Sequence, residues 1–134
     1  MIMTTRRKFI TTTSLMAAGV TTSFIPNSPT SSGLAHHVFF WLKNAGSAED
    51  RSKLIQGIKS LGNISTVRGL HIGVPAATPK REVIDDSYDV SELIFFDDIE
   101  GQDAYQVDPI HLKFVEEYDH LWSKVLVYDT MSVE

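Results

Sequence analysis

The chain has 134 residues, no cysteine and a formal net charge of −5. The absence of cysteine excludes disulfides, thiolate metal sites and a cysteine nucleophile. Positions 1–33 hold three of the 12 basic residues and no acidic one, so the remainder has nine Lys and Arg against 17 Asp and Glu, a net of −8. That charge disfavours nucleic acid and anionic membranes as partners.

Residues 1–33 have the form of a bacterial twin-arginine signal peptide and linker. Arg6 and Arg7 precede an uncharged stretch rich in Thr, Ala and Gly, and no acidic residue occurs before Glu49. We expect export to the periplasm or another extracytoplasmic compartment, with cleavage between about 20 and 34 and no stable membrane insertion afterwards. A protein tethered to the membrane by its uncleaved signal is one alternative, and a misassigned start codon with a disordered tail is another.

Residues 34–134 are long enough for one domain with one core. Leu34 to Lys43 alternates between two apolar faces, with His36 on one and His37 on the other, which predicts a strand covered on both sides. The patterns that follow predict a helix capped by Ser47 and ending near Gly62, strands over 67–74, 88–96 and 124–131, and a helical stretch over about 101–122. The loop from Pro75 to Asp86 is long enough to form a lid or a rim.

The element order is therefore β-α-β-β-α-β. Right-handed crossovers place both helices on one face of a four-stranded antiparallel sheet, which is the α+β, ferredoxin-like arrangement. The other face of such a sheet is bare in a monomer, yet the first strand is apolar on both sides. We expect a second copy of the chain to cover it, so that the protein is a homodimer paired through its sheet face.

The start of the last helix carries the strongest candidate for a functional group. Asp108 is a good N-cap and Pro109 fits the first helical position, so His111 becomes the third helical residue. His111 shares an apolar stripe with residues further along the chain, namely Phe114, Val115, Tyr118 and Trp122. The helix dipole and partial burial are expected to lower its pKa, which suits a general base. The alternative is a core histidine whose hydrogen bonds are satisfied.

The chain resembles the Dabb family of stress-responsive dimeric α/β-barrel domains. The resemblance covers roughly residues 34–132 and rests on four segments, namely His36 to Lys43, Gly73-x-Pro75, Ser87 to Asp97 and Ala104 to His111. It implies a ferredoxin-like domain that pairs into a dimeric α/β barrel.

One plant member to which the chain has a distant likeness, olivetolic acid cyclase, closes a linear polyketide by intramolecular aldol condensation. The likeness implies that His111 acts as the catalytic base with Tyr105 assisting, and that His36 lines the same cavity as a ligand-binding residue. The family commonly has His before the proline, where this chain has Asp108. Asp108 has a sufficient role as a cap, and its carboxylate could also orient a nearby imidazole at the ligand site.

Three functions stay open on this sequence. The first is a lyase, cyclase or isomerase without cofactor or metal, in which His111 removes a proton next to a carbonyl and Tyr105 polarises the oxygen. The second is a carrier or sensor that binds a small apolar or carbonyl-containing ligand without chemistry, and the third is a purely structural dimer. A metal site formed by His36, His71 and His111 is also conceivable, because imidazoles bind divalent metals. Which of the five histidines would be an axial haem ligand cannot be assigned from the sequence. His120 is expected to be solvated.

Overall fold

The computed structural model describes residues 33–133, and the predicted signal around Arg6 and Arg7 lies outside them. The strands are β1 (Leu34–Leu42), β2 (Gly69–Gly73), β3 (Val90–Phe96) and β4 (Trp122–Met131). The helices are α1 (Ala48–Ser60), α2 (Ile99–Val107) and α3 (Pro109–Tyr118), with short 3-10 turns at Leu61–Asn63 and Asp119–Leu121. None of the helices in this part of the chain has the length and hydropathy needed to cross a membrane.

The four strands form one antiparallel sheet in the order β2-β3-β1-β4. The register places Val38 of β1 opposite Glu92 of β3 on one side and Val127 of β4 on the other. Burial alternates along β1, so that every second residue from Leu34 to Leu42 is buried and the intervening ones are half-buried. We call the face with the buried residues the inner face and the opposite one the outer face.

The inner face meets the helices in one apolar core. Leu54, Ile58 and Leu61 are completely buried there together with Val90 and Ile94 of β3. The core also sets the distance between α1 and α3. A Cβ on Gly57 would lie 2.6 Å from the ring of Tyr118, so only glycine allows this approach.

The outer face carries aromatic side chains that are half-buried or, in the case of Tyr128, exposed. Phe39 lies 4.9 Å from Tyr88 and 6.3 Å from Tyr128, measured between ring centroids, and the His37 ring is 4.2 Å away. Trp41 continues the same row along β1. The sequence-based expectation of an apolar outer face is therefore met by these residues.

The ferredoxin-like fold class and its four-stranded antiparallel sheet are confirmed. Two predicted features of the second helical stretch are wrong. It is divided into α2 and α3, because Asp108 takes the extended conformation (φ −64°, ψ 137°) ahead of Pro109. Trp122 does not extend the helical stripe, since a 3-10 turn intervenes and Trp122 is the first residue of β4.

Candidate functional site

A cavity of about 130 Å³ lies between the inner face of the sheet and the helices α2 and α3. Four titratable side chains line it, one each from β1, β3, α2 and α3: His36, Glu92, Tyr105 and His111. The remaining lining is mostly apolar, with contributions from Val38, Phe40, Phe114, Val115, Trp122, Val125 and Val127 besides Gln106. Val125 and Val127 of the edge strand β4 are 38% and 43% exposed, so the cavity opens to solvent on that side.

The break at Asp108 brings two of these polar groups together. Asp108 ends α2, and its Oδ1 accepts a hydrogen bond from the amide of Ile110 at 2.8 Å, which caps α3. Tyr105 is consequently in the last turn of α2 and His111 in the first turn of α3, with their ring centroids 4.6 Å apart. Asp108 itself is not among the residues that line the cavity.

His111 is held in one tautomer by the backbone of α2. Its Nδ1 lies 3.1 Å from the carbonyl oxygen of Gln106, and because a carbonyl can only accept, Nδ1 carries the hydrogen. The pKa of His111 is lowered mainly by burial and further by the charge of His36, against the opposing effects of the Gln106 bond and Asp108. The neutral ring therefore has a free lone pair on Nε2, as a general base requires.

Tyr105 is bonded to an acidic residue that the sequence reasoning missed. Its hydroxyl donates to Oε1 of Glu92 at 3.2 Å, and the two residues are only 1% and 2% exposed. Burial raises the pKa of Glu92 to about 7, an effect that the hydrogen bond from Tyr105 partly offsets. The signal was present in β3, because strict alternation puts Glu92 on the same inward face as Val90 and Ile94.

His36 lies on the inner face as the resemblance implied, and it has its own carboxylate partner. Its Nδ1 is 2.5 Å from Oδ1 of Asp129, the residue opposite it on β4. The imidazole is 4% exposed, whereas the Asp129 side chain is 46% exposed at the edge of the sheet. The His36 ring also contacts Tyr105 edge-on, with centroids 5.7 Å apart. His36, Tyr105 and His111 thus surround one space.

The other histidines lie elsewhere. His37 and His71 both pair with Leu93 and so share the outer face, where burial first and then the charge of His71 lower the pKa of His37. The considered metal site from His36, His71 and His111 is therefore not formed, because His71 is on the opposite face from His36. Among residues 33–133, no three His, Cys, Asp or Glu side chains are grouped as metal ligands would be. His120 is exposed.

The loop from Pro75 to Asp86 has no contact with this cavity. None of its residues is in the lining, so it is not a lid over His111. Asp85 instead borders a smaller cleft of about 110 Å³ on the outer face, beside Phe39 and Trp41.

This fold and inner-face cavity define a ferredoxin-like α+β domain with a small-molecule-sized site. Residues 34–132 match the family described as the stress responsive A/B barrel domain, Dabb, and the chain belongs to that family. No curated protein matches the chain.

Solved structures of similar fold include an enzyme, a Dabb family protein and a protein of unknown function. Hydroxynitrile lyase from Passiflora edulis is 20% identical with a TM-score of 0.65, over 78% of this chain and 97% of that one. A Dabb family protein with a ferredoxin-like fold from Mesorhizobium loti is 22% identical with a TM-score of 0.62, over 77% and 99%. A dimeric ferredoxin-like protein of unknown function from Thermobifida fusca is 16% identical with a TM-score of 0.60, over 75% and 91%. At these identities the likeness establishes the fold.

Proposed function

We propose that the inner-face cavity binds a small molecule and that His111 removes a proton from it without a cofactor. The observation that carries this proposal is the bond from His111 Nδ1 to the Gln106 carbonyl, which leaves Nε2 as an unprotonated acceptor beside Tyr105. Because burial lowers the pKa of His111, the neutral form is available at neutral pH. The reaction class is that of a lyase, cyclase or isomerase.

The lyase reaction has an additional argument, since hydroxynitrile lyase from Passiflora edulis shares the fold. Cleavage of a hydroxynitrile needs a base for the hydroxyl proton. As His111 Nε2 takes that proton, the oxygen electrons form the carbonyl and the bond to the nitrile carbon breaks, releasing cyanide. The likeness to olivetolic acid cyclase suggests the related case, in which the base removes a proton from carbon next to a carbonyl.

Tyr105 has a defined part in either reaction. Its hydrogen is directed to Glu92, so its oxygen offers a lone pair to a ligand hydroxyl in the resting state. To polarise a carbonyl oxygen instead, the Tyr105 hydroxyl must turn away from Glu92. His36 is fixed by Asp129 and contributes a second imidazole to the same space.

Two assays on the purified protein test the proton transfer. One measures cyanide released from acetone cyanohydrin, and the other measures deuterium uptake by acetone in D2O. We expect at least one reaction to be accelerated, and His111→Ala to reduce that rate at least about 100-fold. His120→Ala is the matched control, because His120 is exposed and does not line the cavity. Equal rates for His111→Ala and the unaltered protein would refute the role of His111.

The second candidate function is ligand binding without turnover. It is favoured by the apolar lining, which suits a carrier or sensor of small apolar molecules as well as an enzyme. Binding of acetone cyanohydrin or acetone in the cavity, seen by NMR without acceleration of either reaction, would support this function over catalysis.

We also propose that the chain works as a homodimer joined through the outer faces of two sheets, forming an α/β barrel. The half-buried aromatic row with Phe39 and Trp41 supports this, and the Thermobifida fusca protein of the same fold is described as dimeric. Phe39→Asp should halve the mass measured by light scattering after gel filtration. Leu112→Asp, on the exposed side of α3, should leave the mass unchanged. A dimer that survives Phe39→Asp would contradict this interface.

Export by the twin-arginine route is proposed from Arg6 and Arg7 alone. Cell fractionation of the expressed chain should place it outside the cytoplasm, and the double substitution of Arg6 and Arg7 by Lys should retain it inside. Sequencing of the N-terminus of the exported protein distinguishes a cleaved signal from a membrane tether. An unchanged distribution of the double variant would contradict the route.

A further inference from the structure

Glu92 is an unusual residue for its position in the sheet. It lies in the middle of the inner face of β3, with Val38 of β1 and Ile72 of β2 as its neighbours across the strands. It is 2% exposed, although a carboxyl group without full hydrogen bonding is costly to bury. The cap at Asp108, the core and the tautomer of His111 do not depend on it. These structural features therefore do not explain why a carboxyl group is buried at this position.

The two oxygens of Glu92 differ in what they contact. Oε1 accepts the hydroxyl of Tyr105, whereas Oε2 is fully buried and has no hydrogen-bond partner among residues 33–133. Glu92 lines the cavity that also holds His36 and His111. Because Oε2 is enclosed in this side-chain position, it meets the cavity when the Glu92 side chain turns, and a ligand atom then completes the hydrogen bond that the protein leaves unmade.

The other polar groups of the cavity specify which kind of ligand atom this is. The hydrogen of Tyr105 is directed to Glu92, and the Nδ1 hydrogen of His111 to the Gln106 carbonyl. The Nδ1 of His36 faces Asp129, and since a carboxylate only accepts, that hydrogen is also used. What the neutral ring of His111 and the phenol of Tyr105 retain are lone pairs. Together with Glu92, these two groups offer hydrogen-bond acceptors to a ligand, which favours a ligand that donates a hydrogen bond.

The size of the space limits the rest of the ligand. An apolar cavity of about 150 Å³ holds one benzene molecule, and the cavity measures about 130 Å³. Its walls beyond the polar groups are apolar, including Val38, Phe40 and Phe114. A single six-membered ring, or a chain of similar volume, is the largest apolar body that fits without extending through the opening beside β4.

We propose that Glu92 determines ligand specificity, with its Oε2 accepting a hydrogen bond from the hydroxyl group of a small, ring-sized apolar alcohol or phenol. The inference rests on the same cavity as the proposed function, and it specifies the ligand class of that cavity. It requires no reaction, so it is testable by binding alone.

The test compares cyclohexanol with cyclohexanone, two rings of nearly equal size of which only the first can donate a hydrogen bond. Binding to the full chain is measured by NMR titration at pH 8.5, where a carboxyl group with a pKa of about 7 is mainly ionised. The cavity is monitored through the methyl groups of Val38 and Val127. We expect cyclohexanol to bind at least about tenfold more tightly than cyclohexanone.

The same comparison is made on Glu92→Leu, which removes the acceptor, and on Glu116→Leu, whose residue is exposed on α3. The preference for the alcohol should disappear in Glu92→Leu and persist in Glu116→Leu. If Glu92→Leu does not fold, the comparison on the unaltered chain decides, since it needs no variant.

The outcomes separate this inference from the proposed function. Equal binding of the two rings, or an alcohol preference that persists in Glu92→Leu, overturns the role of Glu92 and leaves the cavity as a site for His111 chemistry. If neither ring shifts the Val38 and Val127 signals, the inference about Glu92 is overturned, and the assays with acetone cyanohydrin and acetone decide the proposed function separately. An alcohol preference that depends on Glu92, in a protein without turnover, supports this inference and refutes catalysis only.

Discussion

The burial of Glu92 predicts an unusual dependence of stability on pH, which Glu92→Gln should abolish. Glutamine has nearly the shape of the protonated acid and keeps an oxygen that can accept the Tyr105 hydroxyl, but it does not titrate. In the folded protein the pKa of Glu92 is about 7, against an ordinary value of 4.5. The folded state therefore holds a proton at Glu92 over a pH range in which the unfolded chain has released it.

The sign and size of the effect follow from this difference. Because the folded pKa is raised, the contribution of Glu92 to stability is fully present below pH 4.5 and is lost as the pH rises through about 7. At about 1.4 kcal/mol for each pH unit between the two values, the total loss is about 3 kcal/mol. The lowered pKa values of His37 and His111 act in the opposite direction, reducing stability as the pH falls below 6.5. Both histidines are present in the unaltered protein and in Glu92→Gln, so their effects on stability cancel when the two proteins are compared.

The assay is urea unfolding of the unaltered protein and of Glu92→Gln between pH 5 and pH 8.5. One fixed protein concentration is used, because the midpoint of the proposed dimer depends on concentration. The variant should gain stability relative to the unaltered protein as the pH rises, by about 2 to 3 kcal/mol over this range. Glu116→Gln, an exposed substitution, should give a curve parallel to that of the unaltered protein. If Glu92→Gln also gives a parallel curve, the folded carboxyl titrates like a solvated one and the reasoning about its burial is wrong.

Three further substitutions test the packing around the site, each with a direct measurement. Gly57→Ala should lower the free energy of unfolding by about 1 kcal/mol, because the clash with the Tyr118 ring outweighs the gain in helix propensity; a more stable variant would contradict the close contact. Asp108→Ala should lower the free energy of unfolding in urea by about 1 kcal/mol, because the N-terminal cap of α3 is lost. An unchanged midpoint would show that the cap does not stabilise the protein. Tyr105→Phe removes the hydrogen bond that favours ionised Glu92, so an NMR titration of the Glu92 carboxyl should show a pKa above about 7, and a lower value would refute the bond.

Local patterns in the sequence were sufficient to predict most of the fold. The alternation of β1 placed His36 inward, and the Asp108-Pro109 pair located the start of α3 and therefore His111. The same pair should also have separated α2 from α3, since the extended conformation before a proline interrupts a helix. As a capping pattern the pair indicates only where α3 starts, whereas the apolar spacing continues to Trp122 and wrongly predicts helix there.

The partners within the site could not be predicted in the same way. The contact of His36 with Asp129 depends on the register between β1 and β4, which no local pattern specifies. The bond between Tyr105 and Glu92 joins α2 to the middle of β3 and depends on how the helix lies on the sheet. Only the inward position of Glu92 was available from the alternation of its strand, and a polar residue on an apolar face is the pattern that reveals such a site.

The distance along the chain between His36 and Asp129 also bears on how the protein is made. The two residues are 93 positions apart, and β1, the strand next to β4, is synthesised first while β4 is synthesised last. Until β4 has left the ribosome, one edge of β1 has no strand to pair with, and such an edge is prone to pair with other chains. Folding of this sheet must therefore finish after synthesis of the domain, and the imidazole of His36 gains its partner in that final step. The His36–Asp129 contact is accordingly a marker of completed folding, whereas the contacts around α1 are available much earlier.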